Sequence, residues 1–287
     1  MNADGNPEFK VEQCSHEVLL THTAAIHQGH PERFTLPCCF RAEGDEKAHA
    51  LLIRDDETIA VGSSARNGSG ARLITSRLDR PKPDCTELAA LIDLLGGPGE
   101  LVLEQALEHT AHQATSALSD IRLQTRFQLT LYRFDGSPGT RPHSDASVRT
   151  ATESDIPLLA DWLHAFGAET GYRHPDSDPD FHLIAQRNIN SCAVSLLEID
   201  GIPVALGQRA RQSTIGQNRI GLVFVPRKHR GQGHARRLVR SLVESVVAEG
   251  AVPCLFADRK NVITNRLYES LSFVESDSLV HLEPTHS

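Results

Sequence analysis

The sequence predicts a mixed α/β (α+β) fold, in which a mostly antiparallel central sheet is flanked by helices, in two domains in tandem. The first observation is a hairpin signal, Asp200-Gly201, between two apolar runs. The second is a series of three short β-rich runs between residues 48 and 77, which is typical of an antiparallel meander. The third is a β-rich run at 218–225 that leads through a glycine loop into an amphipathic segment. With 287 residues and 39% hydrophobic content, the chain suits one large or two medium globular domains.

The first half of the chain alternates helical and extended segments. Helices are expected at 17–28, 86–95 and 100–113, and strands at 48–54, 58–66, 71–77 and 127–134. The stretch 135–145 is rich in Gly, Pro and Ser and lacks an apolar period, which predicts a linker. The sequence therefore divides near residue 140, into an N-terminal domain of 1–140 and a C-terminal domain of 146–287.

The second half opens with a well-marked helix. Thr152-x-x-Asp155 is a helix-start capping signal, and Pro157 falls in the first turn, where proline is tolerated. Apolar residues then recur on one face as far as Phe166. The other elements are expected as a strand at 147–150, a helix at 181–188, strands at 192–199, 202–211 and 218–225, a helix that stops at Gly250, a strand at 254–257, a helix at 265–271 and a strand at 273–282.

The loop after the run 218–225 predicts an anion site. It reads Val225-Pro226-Arg227-Lys228-His229-Arg230-Gly231-Gln232-Gly233-His234-Ala235. Unpaired N–H groups and the dipole of the following helix favour a phosphate, Gly231 and Gly233 leave the backbone accessible, and Arg230 brings a permanent charge. A P-loop is disfavoured because no Gly-x-x-x-x-Gly-Lys-Ser/Thr run is present, and a Rossmann fingerprint because residue 236 is Arg. The loop thus predicts a phosphorylated cofactor.

A second motif follows this loop. Arg230-x-x-Gly233-x-Ala235 precedes Asn261 and then Leu267-Tyr268-Glu269-Ser270-Leu271-Ser272-Phe273, with an amphipathic segment and a short apolar strand between them. The two motifs in this order resemble those of the GNAT (Gcn5-related N-acetyltransferase) superfamily. The resemblance covers about 147–282 and implies a GNAT-like acyl-CoA N-acyltransferase fold. The first half echoes the order of elements without such a loop, so we expect a degenerate GNAT-like domain that binds no cofactor.

The resemblance implies the transfer of an acetyl group from acetyl-CoA, as cosubstrate, to a primary amine. The loop residues whose N–H groups would hold the pyrophosphate are Arg230, Gly231, Gln232, Gly233, His234, Ala235 and Arg236. The preceding strand, with Val223, Phe224 and Val225, would pair with the pantetheine arm and polarise the thioester carbonyl. Tyr268 corresponds to the general acid for the leaving thiolate, with packing in the core as its alternative. Asn261 corresponds to a contact of the cofactor arm, with a loop or helix cap as its alternative.

Several features of the site stay open in the sequence. The general base is unassigned, with Asp258, Glu198, His164 or a water chain as candidates. Ser272 replaces the glycine of the family's Leu-Gly-Phe, and at a positive φ it would cost about 1–2 kcal/mol. The acceptor is a small-molecule or peptide amine, and the loop 171–180 lies where the family builds the acceptor wall. The alternative function is a non-catalytic acyl-CoA-binding sensor or interaction module on the same fold.

Charge and composition limit the partners. A net charge of −8 argues against nucleic acid, and no segment has the apolar length of a membrane span. The 6 cysteines include no Cys-x-x-Cys pair and the 15 histidines no His-Glu-x-x-His, so we expect reduced thiols and no metal. The start of the chain carries no signal sequence, and a cytoplasmic protein is expected. The oligomeric state is left open.

Overall fold

The computed structural model describes residues 8–26, 48–64, 70–75, 82–136, 146–171, 179–210 and 216–285. The chain forms two compact units, each assembled from more than one stretch. Unit 1 comprises Met1–Tyr132, Phe256–Asn265 and Glu275–Ser287, and unit 2 comprises Arg133–Leu255 and Arg266–Val274. The domain division at residues 1–140 and 146–287 stays a prediction, and most of its linker lies outside the described residues.

The described residues form twelve strands and seven α-helices. The strands are β1 (Phe9–Cys14), β2 (His49–Arg54), β3 (Glu57–Ser64), β4 (Gly70–Thr75), β5 (Glu100–Glu104), β6 (Leu123–Phe134), β7 (Ala146–Thr150), β8 (Cys192–Ile199), β9 (Ile202–Ala210), β10 (Gln217–Phe224), β11 (Val252–Asp258) and β12 (Phe273–Pro284). The helices are α1 (His16–Ile26), α2 (Cys85–Leu94), α3 (Glu108–Leu118), α4 (Ile156–Thr170), α5 (Phe181–Ser191), α6 (His234–Ala248) and α7 (Val262–Glu269). The predicted mixed α/β class is confirmed.

Unit 1 is a mostly antiparallel sheet with strand order β1-β2-β3-β4-β5-β12-β6. Its pairs are antiparallel along β1 to β4, parallel between β4 and β5, and antiparallel between β5 and β12. Helices α2 and α3 bury Leu88, Leu91 and Ala111 in a core shared with Leu101 and Leu103 of β5. The predicted antiparallel meander is therefore confirmed.

One element of unit 1 was predicted wrongly. The stretch 100–113 was expected to be a helix, but it forms β5, a 3-10 turn at Gln105–Leu107 and the start of α3. The reason is the alternation inside the first five residues, because Leu101 and Leu103 are fully buried while Glu100 and Val102 are half-buried. Strand β1 was missed altogether.

Unit 2 orders its strands β11-β10-β9-β8-β7, with antiparallel pairs except for the parallel pair of β10 and β11. Asp200 and Gly201 both have a positive φ, of 51° and 74°, as the predicted hairpin turn requires. The capping box of Thr152 and Asp155 also forms as predicted, immediately before α4. Among the described residues, no helix is long and apolar enough to cross a membrane.

Helix α6 packs closely on the sheet of unit 2. A Cβ on Gly207 of β9 would lie 2.8 Å from Cδ1 of Leu242 and 3.1 Å from Cδ2 of Leu238, so glycine is needed at this crossing. Leu238 and Val239 are fully buried on the same face of α6. This contact fixes the axis of α6, and with it the direction in which its N-terminus points at the end of β10.

Candidate functional site

The loop between β10 and α6 carries the two predicted glycines in left-handed conformations. Gly231 has a φ of 76° and Gly233, the N-cap of α6, a φ of 77°. A Cβ on either glycine would meet nothing within 4 Å, so glycine is favoured here by backbone conformation and not by crowding. Both glycines and Gln232 between them are exposed. The backbone at the start of α6 is therefore open on its outer side.

The first turn of α6 keeps its donors available. The N–H of Arg237 donates to the carbonyl of Gly233 (3.1 Å), so the N–H groups of the three residues before it, His234, Ala235 and Arg236, have no helical acceptor. Within the described residues no side chain caps this turn. These donors and the positive end of the helix dipole form an arrangement that can accept a phosphate.

Arg230 is held by three groups of its own unit. Its Nε donates to the carbonyl of Val225 (2.8 Å), and its Nη2 donates to Oε2 of Glu169 (2.6 Å). Its Cζ also lies 5.9 Å from the ring centroid of Phe224. The predicted permanent charge is present at the loop, but part of its hydrogen-bonding capacity is already in use. The partner Glu169 was missed because it lies 61 residues earlier and carries no local signal.

Arg236 directs its side chain towards the far end of α7. Its Nη2 donates to Oγ of Ser270 (2.6 Å) and its Nη1 to the carbonyl of Ser270 (3.3 Å). The hydroxyl of Ser270 in turn donates to the carbonyl of Leu267 (2.6 Å). The guanidinium therefore ties the first turn of α6 to the last turn of α7, and its backbone N–H is the part of Arg236 that fits the predicted role in anion binding.

Two histidines lie at the base of the loop. His234 is only 6% exposed, and burial, with further contributions from Arg237 and His229, lowers its pKa, so its ring is neutral at pH 7. The rings of His229 and His234 are 6.4 Å apart. Among the described residues, Nε2 of His229 and Nδ1 of His234 have no hydrogen-bond partner. The side chain of His234 is thus a buried neutral ring at the start of α6, and its predicted role in the loop rests on its backbone N–H.

Strand β10 contains a bulge just before the predicted arm-binding residues. Its register against β9 shifts between Ile220 and Leu222, which leaves Gly221 as the extra residue. Val223 is half-buried, and Phe224 is 5% exposed because it packs against the rings of Trp162 and Phe166. The sequence analysis did not single out Gly221, although an isolated glycine in a strand pattern is a known signal of a bulge.

Pairing on the other side of β10 is parallel. It joins Gln217–Ile220 to Val252–Leu255 of β11. Val225 follows β10, and its carbonyl accepts the hydrogen bond from Arg230 described above. That Val223, Phe224 and Val225 pair with a pantetheine arm stays a prediction.

Tyr268 lies on α7 with its ring in the core of unit 2. The residue is 6% exposed, and its ring centroid is 5.8 Å from that of Phe273. Burial raises the pKa of the phenol well above its ordinary value of 10.0, so Tyr268 holds its proton at any neutral pH. The packing role of Tyr268 is thus observed. Its role as general acid stays a prediction, and the protonated phenol is the form that this role requires.

Asn261 forms the cap that was given as its alternative. Its Oδ1 accepts a hydrogen bond from the N–H of Thr264 (3.2 Å), in the first turn of α7. Its own N–H donates to the carbonyl of Asp258 (2.9 Å), and its side chain is exposed. The residue belongs to unit 1, and contact with a cofactor arm stays a prediction.

Each candidate for the general base has a structural contact. Glu198 accepts from Nε of Arg149 (2.7 Å), and the ring of His164 lies edge-on to Phe181 at 5.1 Å. Oδ1 of Asp258 accepts from the N–H of Lys260 (2.8 Å). These contacts do not identify a base, and residues 172–178 of the expected acceptor wall lie outside the described residues.

Helix α2 of unit 1 begins very differently from α6. Oδ1 of Asp84 accepts from the N–H groups of Thr86 (2.8 Å) and Glu87 (2.9 Å), and Oε2 of Glu87 accepts from the N–H of Asp84 (2.9 Å). Arg54 binds the same carboxylate of Glu87. The chain's own carboxylates therefore occupy the N-terminus of α2. Residues 76–81 of the loop before it lie outside the described residues.

The described residues give little sign of metal or disulfide chemistry. In this part of the chain no group of three or more His, Cys, Asp or Glu side chains could hold a metal ion. Cys14, Cys85, Cys192 and Cys254 are reduced thiols and not disulfides. The adjacent pair at 38 and 39, and the histidines near it, fall outside the described ranges.

Comparison with known proteins relates this chain to acetyltransferase folds. The family model described as FR47-like protein matches residues 207–281, which include β10, the glycine loop, α6 and α7. Curated proteins gave no sequence match. The predicted resemblance to the GNAT superfamily is confirmed by this match together with the solved structures below.

Three solved structures share the fold at low sequence identity. A GCN5-related N-acetyltransferase from Sphaerobacter thermophilus has a TM-score of 0.59 and 12% identity, over 96% of this chain and 95% of that chain. A GNAT-family acetyltransferase from Colwellia psychrerythraea has a TM-score of 0.55 and 12% identity, over 96% and 100%. A tandem GNAT protein from the clavulanic acid biosynthesis pathway has a TM-score of 0.55 and 12% identity, over 98% and 99%. The chain thus has the GNAT fold, and its likeness to a tandem protein extends through both halves.

Proposed function

We propose that this protein is an acetyl-CoA-dependent N-acetyltransferase that acts on a primary amine of a small molecule or a peptide. The observation that carries the proposal is the uncapped first turn of α6 behind two left-handed glycines, with Arg230 beside it. The motif that contains this loop and the GNAT fold of the chain support the same ligand. A cytoplasmic location is part of the proposal.

The loop fits a pyrophosphate by its chemistry. Three N–H groups without helical acceptors stand at the positive end of the α6 dipole, and a bound phosphate would accept from them. A Cβ placed on Gly231 or Gly233 would have no other atom within 4 Å, so the space beside the backbone is open to a ligand. Arg230, which is 44% exposed, adds a charge that remains at any physiological pH.

The contrast with α2 leads us to propose one cofactor site per chain. A phosphate at the start of α2 would have to displace the carboxylates of Asp84 and Glu87, which already accept the N–H groups of that turn. Glu87 is only 1% exposed and is bound by Arg54. Its carboxylate is therefore held in place and does not move readily into solvent. We therefore propose that unit 1 binds no acetyl-CoA.

The transfer itself needs one bond formed, one broken and two protons placed. The amine nitrogen attacks the thioester carbonyl carbon, and a C–N bond replaces the C–S bond as the CoA thiolate leaves. The thiolate takes a proton, for which Tyr268 is the proposed donor, and the nitrogen gives one to a base or water. Backbone N–H groups of Val223, Phe224 or Val225 would stabilise the developing oxyanion. Preorganised donors of this kind typically contribute a factor of about 100 to 1000 in rate.

A second function competes with this one: a non-catalytic acyl-CoA-binding sensor or interaction module. The observation that favours it is the burial of Tyr268, which is 6% exposed. In addition, no residue of β10, Gln217–Phe224, is acidic, so the strand beside the proposed thioester carries no base. A sensor would bind acetyl-CoA without consuming it.

Titration calorimetry of the full chain with acetyl-CoA tests the cofactor site. We expect micromolar binding with one site per chain, which is lost in a variant that combines Arg230→Ala and Gly233→Asp. Gly250→Asp is the matched control, because Gly250 also has a positive φ (75°) and open space around it, but lies beyond the other end of α6. Equal loss in both variants, or no binding by the wild type, would contradict the proposal.

Release of free thiol from acetyl-CoA in the presence of amines then separates the enzyme from the sensor. The enzyme releases thiol at a rate that depends on the amine, and Tyr268→Phe slows this release while acetyl-CoA still binds. A sensor binds acetyl-CoA and releases no thiol with any amine offered. If Tyr268→Phe left the rate unchanged at every pH, the role of this residue as acid would be wrong.

A further inference from the structure

A carboxylate from a distant helix already binds the arginines of the glycine loop. Oε2 of Glu169, near the end of α4, accepts from Nη2 of Arg230 at 2.6 Å, and its Oε1 accepts from Nε of Arg227 at 3.2 Å. Each carboxylate oxygen thus takes one arginine. The hydrogen bond from Arg230 is the main reason why the pKa of Glu169 is lowered, so the group is an anion at neutral pH.

The anchoring of Arg230 does not depend on Glu169 alone. Nε of Arg230 donates to the carbonyl of Val225 (2.8 Å), and its guanidinium lies over the ring of Phe224. Phe224 is itself fixed in the core by Trp162 and Phe166. Removal of the Glu169 charge therefore leaves Arg230 attached to Val225 and Phe224, and it releases the Nη2 group that Glu169 had bound.

We propose that Glu169 is an internal competitor of the CoA pyrophosphate, because its carboxylate binds Arg230, which the incoming anion would use, together with the neighbouring Arg227. The proposal rests on the proposed function, in which the glycine loop binds CoA. Carboxylate and phosphate oxygens both match the planar fork of a guanidinium, so they compete for the same donors. Glu169 thus sets the affinity of the loop, and favours release of the spent CoA.

The exposure of the three side chains decides how strong this competition is. Glu169 is 24% exposed, Arg230 44% and Arg227 79%, so both ion pairs are open to water. Such pairs are weak enough to exchange partners readily, and each is offset by solvation. We therefore expect the neutral variant Glu169→Gln to bind CoA about fivefold more tightly, and not by orders of magnitude.

A merely structural role for Glu169 predicts the opposite sign. If the carboxylate only held α4 and the loop in place, its loss would loosen the loop and weaken CoA binding. A gain in affinity is therefore a readout that distinguishes competition from support. Salt dependence adds a second readout, because a loop with one more uncompensated cation binds a polyanion with a steeper dependence on ionic strength.

The experiment compares wild type, Glu169→Gln and Glu249→Gln by titration calorimetry with CoA and with inorganic pyrophosphate, at two salt concentrations. Glu249 is the matched control, because it is ion-paired to Arg209 at 2.6 Å and follows the opposite end of α6. We expect the Kd of both probes to fall about fivefold in Glu169→Gln and to stay unchanged in Glu249→Gln. Glu169→Asp, which keeps the charge but shortens the side chain, should give a smaller gain.

The outcomes separate this inference from the proposed function. If the wild type binds CoA and Glu169→Gln binds it no more tightly, the competition is wrong and the cofactor site stands. If no variant binds CoA, the cofactor site is wrong, and the inference fails with it. If the Kd of CoA fell equally in Glu249→Gln, the effect would come from the net charge of the protein, and the specific role of Glu169 would be wrong.

Discussion

Ser272→Gly is expected to stabilise the protein by about 0.5 to 1 kcal/mol. Ser272 has a φ of 67°, and it follows α7 at the point where the chain turns into β12. A side chain at a left-handed φ costs about 1–2 kcal/mol of folded-state stability. Glycine avoids this cost, but its greater freedom in the unfolded chain lowers the free energy of unfolding by about 0.4–1 kcal/mol. The difference is a small net gain in the free energy of unfolding.

The neighbourhood of Ser272 supplies an internal check on this reasoning. A Cβ on Gly136 would lie 2.6 Å from Cβ of Ser272, 3.0 Å from its Oγ and 3.2 Å from Cζ of Phe134. Gly136→Ala should therefore cost about 1–3 kcal/mol in the wild type, the usual range for overpacking. When residue 272 is glycine, the two closest of these contacts vanish, and the contact with Phe134 remains. The two changes should couple by about 1 kcal/mol, as contacting residues do.

Denaturant and thermal unfolding of the four proteins of this double-mutant cycle measure both quantities. A gain of 1 kcal/mol corresponds to a rise in Tm of about 2–4 °C for a chain of this size class. Ser272→Ala is the control, because it removes the hydroxyl but keeps the Cβ at positive φ, and it should bring no gain. A lower Tm for Ser272→Gly would refute the assignment of strain to this turn, and additive effects of the Gly136 and Ser272 changes would refute the close contact between the two residues.

Three further predictions concern the loop, its link to α7 and the start of α4. Gly233→Ala should cost about 1 kcal/mol of stability through its φ of 77° and weaken CoA binding by calorimetry, whereas unchanged values would show that the loop tolerates other conformations. Ser270→Ala removes the 2.6 Å acceptor of Arg236. It should lower the turnover number more than it changes the Kd of CoA, because it loosens α7, the helix that carries Tyr268. A larger change in Kd than in turnover number would argue against this positioning role of α7. The hydrogen bond from Arg149 is the main cause that lowers the pKa of Asp155 to about 2 from 3.8. The ionised Asp155 therefore contributes up to about 2 kcal/mol to the free energy of unfolding above pH 4, which is lost as the pH falls towards 2, and Asp155→Asn should flatten acid unfolding in that window.

The sequence predicted the fold best where local chemistry leaves one choice. Asp200-Gly201 requires a tight hairpin turn, and Thr152 with Asp155 caps a helix, and both form as expected. The failure at 100–113 came from a stretch in which an alternating run merges into a helix without a glycine or proline between them. The alternation over Glu100–Glu104 is too short to be distinguished by sequence from the helical pattern that follows. This segment becomes a strand because it pairs with β12 and is buried in the sheet.

The sequence singled out the glycine loop, and it gave no sign of the side-chain partners of its arginines. Gly231 and Gly233 were singled out because they lack side chains, and the structure adds that both adopt left-handed conformations. Their role in binding stays a prediction. The partners of Arg230 and Arg236 lie 61 and 34 residues away, on other helices, and no spacing rule connects them. Long flexible cations find whichever acceptor the tertiary fold brings near, and the sequence alone does not identify that acceptor.

The two halves of the chain differ at one position that the sequence does reveal. Helix α2 has Asp84 as its N-cap and Glu87 three residues on, so it supplies its own anions to its first turn. Helix α6 has Gly233 as its N-cap, with Arg236 at the corresponding third position, and supplies none. A helix that caps itself has fewer donors left for a ligand, whereas one that begins in glycine leaves them unsatisfied unless water or a ligand binds. This difference between the two N-caps is why we propose that the cofactor binds to the second half alone.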